Sequence, residues 1–327
     1  LREGVQFHNG EPLTAADVKF TFDRLRDEAI GSANVALYAN IEDITAPDAR
    51  TVVMTLANPN PDFLLDIGDY HATVLWSGIT DFQTEFIGTG PFMVDQYLPE
   101  DRVIFKRNLN YWMQDADGNQ LPYLDGMEFI FMAEASAQVE ALRGGQVDYL
   151  IYLPTEYVKT LKEDPAIQVL EKPSNTTFIL RMRSDKEPFN DPNVRAAFKA
   201  ATDRSAILAA AFENLGVTGR DTPIGPGFED YYLDAPEPAR DVAKAKQLLP
   251  EAGYGDGLDI TFTAQQISPV PAMATILKEQ WAEAGINAEI QLVPSDVYYG
   301  ADNLWLEADL AITDWGSRAY PQPYLDL

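Results

Sequence analysis

The first 25 residues constrain the fold most, because a strand, a turn and a capped helix follow one another there without slack. Val5 and Phe7 alternate with polar neighbours, the period of a strand with one covered face. Asn9-Gly10 is a turn dipeptide, since glycine enters φ > 0 at no steric cost. Thr14 then stands where a helix needs an N-cap, and Asp17 places a negative charge near the helix start, where it is favoured. Val18, Phe22 and Leu25 fall at i, i+4 and i+7, one apolar stripe that demands a core to face. On this reading the stretch is a folding unit and needs no site to explain it.

Further along, residues 51–56 alternate as a strand and stop at Asn58-Pro-Asn-Pro61. Residues 62–70 are apolar with a helical tendency. Gly88-Thr-Gly-Pro91-Phe92 is a turn feeding a strand over 93–98, and a second strand follows over 103–108. No Lys-Ser/Thr follows the two glycines, so this is a poor phosphate loop. Residues 115–123 are polar and turn-rich, a candidate lobe boundary. A strand over 127–132, a helix over 135–142 ended by glycines, and a short buried strand over 147–151 predict parallel pairing in an α/β lobe.

In the second half a strand over 176–183 leads to Asp191-Pro192, a cap and first turn, with Val194, Phe198 and Ala201 at helical spacing behind them. Residues 216–236 form a long loop of glycine, proline and aromatics, a length that in compact domains often carries function. A helix over 241–249, a strand over 258–263, a helix over 272–284 and strands over 287–293 and 308–313 complete the order. The last strand opens onto Asp314-Trp315-Gly316-Ser317-Arg318.

A chain of 327 residues suffices for two or three lobes, and no apolar run reaches membrane-spanning length. Its 51 acidic against 24 basic residues give a net charge of −27, which repels nucleic acid and anionic membrane surfaces. With no cysteine and two histidines, His8 and His71, there is little material for thiolate chemistry, a histidine metal site or a Ser-His-Asp triad. A receptor needs only a concave site with apolar walls and a few directed polar groups. The rival is a hydrolase built on two converging carboxylates.

Five motifs, in order, carry a resemblance. The run LREGVQFHNGEPLTAADVKFTF opens the chain; the Gly88–Phe92 turn with Asn110-Tyr-Trp112 follows; then come the segment around 135–148, the passage from Pro188 to Arg204, and the Ala252-Gly253-Tyr254 helix end. Together they resemble the family 5 extracellular solute-binding proteins, the peptide, oligopeptide and nickel receptors of ABC importers. The resemblance implies an α/β, periplasmic-binding-protein-like bilobal fold (type II, cluster C) with an extra lobe, closing on a small-molecule ligand and delivering it to membrane permease subunits. It implies residues 1–118 as the extra lobe, 119–190 as part of the first binding lobe and 191–327 as part of the second, in a chain truncated at both ends. A monomer outside the cytoplasmic membrane is expected, possessing no cofactor, no metal, no catalytic residue and no nucleic-acid partner, with any membrane tether outside these residues.

For the site, the resemblance points to Trp315, at a turn where family members place an aromatic on the ligand, with Arg318 and Tyr320 on the same loop. Asn175, Thr177 and Phe178 head another strand, Phe228 lies on the long loop, and Gln265 and Gln266 follow the strand at 258–263. Tyr70, His71 and Trp76 are the candidates in the extra lobe. Each of these, taken alone, is explained by packing. Dipeptide and oligopeptide receptors typically carry an aspartate just after this tryptophan turn, yet no carboxylate follows here until Asp326, and Arg318 stands on the loop. Where such receptors tend to have arginine for the ligand's carboxylate, this chain has Pro271 and Ala272. A ligand neutral or anionic near Arg318 is therefore expected, and nickel chelates, opines, sugars and modified peptides all stay open.

Overall fold

The computed structural model describes residues 1–327 apart from 33–34, 173, 229, 319–320 and 322–327, and divides into two compact units, Leu1–Glu134 and the residues from Ala135 onward. In the first unit the helix Ala15–Arg26 begins as its residues require. Asp17 reaches back to accept hydrogen bonds from the backbone N–H and the hydroxyl of Thr14 at 2.8 and 2.7 Å. Its other oxygen accepts the Ser77 N–H at 2.8 Å, so a carboxylate with almost no solvent contact has three donors. Burial opposes the charge on Asp17, but the bonds from Ser77 and Thr14 outweigh it and hold the carboxyl below its ordinary range. The helix sets Val18 and Phe22 against the antiparallel pair β1 (Ile41–Thr45) and β2 (Val53–Leu56), with Tyr38, Ile41 and Ile44 in the same core.

His8 ties the opening stretch to the glycine turn. Its Nδ1 accepts the Gly88 N–H at 3.2 Å while Nε2 lies 3.1 Å from the Gly90 carbonyl. Beyond that turn, β3 (Phe92–Leu98), β4 (Arg102–Arg107) and β5 (Gly126–Ile130) form an antiparallel sheet in that order. The polar loop between β4 and β5 is knotted by Asp115, whose carboxylate accepts from the N–H groups of Asp117 and Asn119, the Asn119 side chain and the Tyr123 hydroxyl.

The second unit holds a four-stranded sheet in the order β6-β9-β7-β8, with β6 Thr177–Met182, β7 Leu258–Gln265, β8 Ile286–Val293 and β9 Leu310–Trp315. β7 runs parallel to both neighbours and β6 antiparallel to β9. The helix Val270–Ala282 joins β7 to β8 and packs on them, while Pro192–Ala201 packs on Val242–Glu251. Asp191 caps the helix Pro192–Ala201, accepting the Asn193 N–H, with Pro192 at its first position. At the centre Trp281 is fully buried, its ring 4.8 Å from Phe198 and 5.1 Å from Phe262, and its indole N–H donates to the Thr202 hydroxyl at 3.0 Å.

One expectation is corrected. β5 pairs antiparallel with β4, and residues 147–151 lie outside any strand, so the parallel unit expected across 127–151 is not formed. Cross-strand packing decides β5: Phe129 sits opposite Val103, and its ring is 5.5 Å from Phe105. A short apolar run such as 147–151 has no periodicity that settles its state. Here it leaves Tyr149 and Ile151 exposed, together with the adjacent Tyr152.

Two outcomes test this packing. Trp281→Ala should cost about 3–5 kcal/mol, read as the denaturant midpoint of the second unit, because it opens a cavity and strips Thr202 of its donor; a loss below about 1 kcal/mol would show that the indole does not hold this core together. The Asp115 carboxyl is held down to about 2, first by the Asn119 side chain and then by Tyr123. A depressed pKa stabilises above the ordinary value of 3.8 and loses that contribution as pH falls through about 2. The Asn119 amide resonances should therefore titrate near pH 2; a midpoint at 3.8 would sink the knot.

Candidate functional site

Two ends of chain direction converge at one end of the second sheet. Because β6 is antiparallel to β9, its first residues lie beside the last of β9, with Thr177 opposite Trp315 and Phe178 opposite Asp314. β7 ends at Gln265 and β8 at Val293 on the same side, the carboxyl ends of parallel strands where open α/β sheets place their crevices. The loops leaving these strands carry most of the candidate residues.

A concavity of about 2070 Å³ lies within the second unit along the edge strand β6 and the end of β9, with no described residue of β7 or β8 on its walls. Its walls come from residues within 142–153, 164–172 and 176–182, from Ser174, from the helices over 198–212, from the loop over 215–227 and from Trp315. Small-ligand pockets commonly enclose roughly 300–1,000 Å³, so this space exceeds what one compact solute fills. Phe178 and Phe212, 5.6 Å apart, give it an apolar floor with Leu180. One stretch of wall is cationic: Arg204 lies 2.8 Å and Lys199 3.6 Å from the single carboxylate of Asp221. Asp221 takes a left-handed conformation at φ 59°, a backbone state that two cations on its side chain help to retain. Glu171, also on the wall, is paired with Lys162.

The structure distributes the sequence candidates unevenly. Trp315, Thr177 and Phe178 line the concavity together. Asn175 stands just behind it: its Oδ1 accepts the Gly227 N–H at 2.9 Å, and its own N–H donates to the Ser317 hydroxyl at 3.4 Å. Phe228 is half-buried at a turn, its carbonyl accepting from the N–H groups of Tyr231 and Tyr232. Gln265 is buried and donates to the Ser295 hydroxyl at 2.7 Å, whereas the neighbouring Gln266 is exposed. Arg318 is half-buried on the loop after β9, and Tyr320 lies outside the described residues. Tyr70, His71 and Trp76 belong to the first unit. There Tyr70 stacks on His71 at 3.7 Å, the His71 Nδ1 sits 2.6 Å from Asp69, and the Trp76 ring folds over Gly78.

Several wall residues carry no local signal of their place: Tyr149 and Ile151 fall in the run whose pattern predicts a buried strand, and nothing in the pattern marks Leu170, Arg204 or Asp221 as lining a site. The Arg204–Asp221 pair joins the start of the helix Arg204–Phe212 to the loop beyond it, a relation no local pattern announces. Among the described residues no cluster of three His, Cys, Asp or Glu could hold a metal ion, and no helix is long and apolar enough to cross a membrane.

Comparison with known proteins gives three consistent results. The family model for bacterial extracellular solute-binding proteins, family 5 Middle, matches residues 1–327. The glutathione-binding protein GsiB of Escherichia coli (strain K12) is 29% identical over 297 residues, covering 89% of this chain and 56% of that protein. Among solved structures, the ABC transporter-associated periplasmic binding protein DppA from Helicobacter pylori, in complex with peptide STSA, superposes with a TM-score of 0.89 at 25% identity, over 100% of this chain and 67% of that one. The binding protein AgaA from A. tumefacien R10, in complex with agropinic acid, superposes with a TM-score of 0.84 at 25% identity, over 99% of this chain and 66% of the other. The chain thus spans a little over half the length of the curated relative and about two thirds of the solved ones.

Proposed function

The chain belongs to the bacterial extracellular solute-binding proteins of family 5, and from that premise we propose that it serves as the ligand-capturing receptor of an ABC importer, outside the cytoplasmic membrane and acting as a monomer. The observation that carries this reading is the concavity along β6 and the end of β9, with Trp315 and Phe178 on its apolar side and Arg204 and Lys199 on its charged side. Apolar walls with a few directed polar groups bind and orient a solute without transforming it. The catalytic rival requires two carboxylates facing each other across the space; Asp148, Asp164, Glu171 and Asp221 line it, and of these Glu171 and Asp221 are held in ion pairs.

The ligand class follows from the relatives and from charge together. GsiB is named for glutathione, and the superposed structures hold a peptide and agropinic acid. We infer a small peptide-like or opine-like solute that presents a carboxylate. Arg318 supports the same sign, since its guanidinium is always ionised and offers a planar fork of donors. In this reading residues 119–190 and 191–327 contribute the facing walls, as parts of two binding lobes, and residues 1–118 form the extra lobe.

Adding glutathione, Met-Leu or an opine to the full-length protein should raise its melting temperature without consuming the added solute. Steady turnover of a stabilising solute would overturn the receptor reading. Trp315→Ala should weaken the stabilising solute roughly tenfold and abolish its effect on tryptophan fluorescence, with the melting temperature of the free protein little changed. Unaltered affinity in that variant would assign Trp315 to packing.

A further inference from the structure

Asn175 is the one candidate whose surroundings explain a sequence feature two loops away. Its side chain lies between Gly225 and Gly227 of the long loop. A Cβ built on Gly225 would fall 2.6 Å from the Asn175 Oδ1, and one on Gly227 would fall 2.7 Å from both terminal atoms of the same amide. Neither glycine takes a left-handed φ, so backbone freedom does not account for them. Space does: Gly-Pro-Gly is what lets this stretch of backbone close around a side chain 52 residues away in sequence, with the Gly227 N–H donating into it at 2.9 Å.

The contact continues on the other side. The Asn175 N–H donates to the Ser317 hydroxyl at 3.4 Å, and the Ser317 N–H donates to the Thr176 hydroxyl at 3.2 Å. One residue therefore joins the head of β6, the Gly225–Gly227 turn and the loop that follows Trp315. Residues from all three segments, Thr176, Pro226, Gly227 and Trp315, line the concavity, while Asn175 itself does not.

We propose that Asn175 is a positioning residue, an acceptor clamp that fixes the Gly225–Gly227 turn against the Trp315 loop and so sets the shape of the ligand mouth. The proposal rests on the receptor reading for its functional consequence, and on the geometry alone for the clamp. What the clamp needs is the acceptor Oδ1 in an uncrowded slot. The Nδ2 donors are not part of it, which separates this role from direct contact with a ligand.

The test compares Asn175→Ala, Asn175→Asp and Gly225→Ala in the full-length protein. Two quantities are read: hydrogen exchange at the Gly227 amide without ligand, and calorimetric affinity for glutathione and Met-Leu. Asn175→Ala should speed exchange at Gly227 and weaken the probe that binds the wild type, each by roughly tenfold, the worth of one hydrogen bond lost. Asn175→Asp keeps the acceptor and should restore both. Gly225→Ala should reproduce the loss with Asn175 intact, and it serves as the test where Asn175→Ala does not fold. Unchanged exchange at Gly227 in Asn175→Ala overturns the clamp. Weak binding by Asn175→Asp with Gly227 still protected overturns positioning in favour of a donor to the ligand. Where neither probe binds the wild type, the ligand class proposed above fails, and exchange at Gly227 alone decides the clamp.

Discussion

The packing of one indole organises the second unit. Trp281 closes the helix that returns β7 to β8, and its ring meets Phe198 from the helix Pro192–Ala201 and Phe262 from β7. Its N–H is satisfied by Thr202, the residue that ends that same helix, so burial leaves no polar group stranded. The neighbouring Gln280 completes the attachment by bonding both the N–H and the carbonyl of Asp203, where the next helix starts. A sheet held so firmly at its centre can leave its edge strand β6 open, and the concavity lies along that edge.

The first unit reaches order by a different route. Its apolar core is small, and buried or looped backbone is satisfied by side chains instead: Asp17 and Thr21 for the segment at 75–77, His8 for the glycine turn, and Asp115 for the β4–β5 loop. Acidic side chains suit this work because a carboxylate accepts several N–H bonds at once, each charge-assisted. Part of the chain's acidic surplus is therefore structural. Asp191, Asp203 and Asp241 likewise cap helices of the second unit.

The site follows from combining these two habits. A rigid sheet supplies the crevice, and side-chain-to-backbone bonds at its rim, such as Asn175 to Gly227, hold loops that no regular structure supports. Arg204 plays the same part for the loop over 219–221, pairing with Asp221 where the backbone is left-handed. Loops so pinned present aromatic and cationic groups in a set geometry, which lowers the ordering cost when a ligand arrives.

The local grammar was legible in the residues themselves. The Thr14/Asp17 helix start, the Asp191-Pro192 start, the glycine helix ends and the strands expected over 93–98, 103–108, 258–263 and 287–293 all follow from capping, turn chemistry and period, which act between residues a few positions apart. Trp315, Thr177 and Phe178 are each legible as strand-end residues; what sets them side by side is the pairing of β6 with β9. Partner choice was not legible. Whether 126–130 joined a parallel or an antiparallel neighbour was decided by Val103 and Phe105, and whether 147–151 became a strand depended on finding an edge to pair with. The two glycines around Asn175 and the Arg204–Asp221 pair are likewise relations between segments far apart in sequence. Apolar period and capping specify which face is buried and where an element stops; only the tertiary structure brings the second half of each long-range contact within bonding distance.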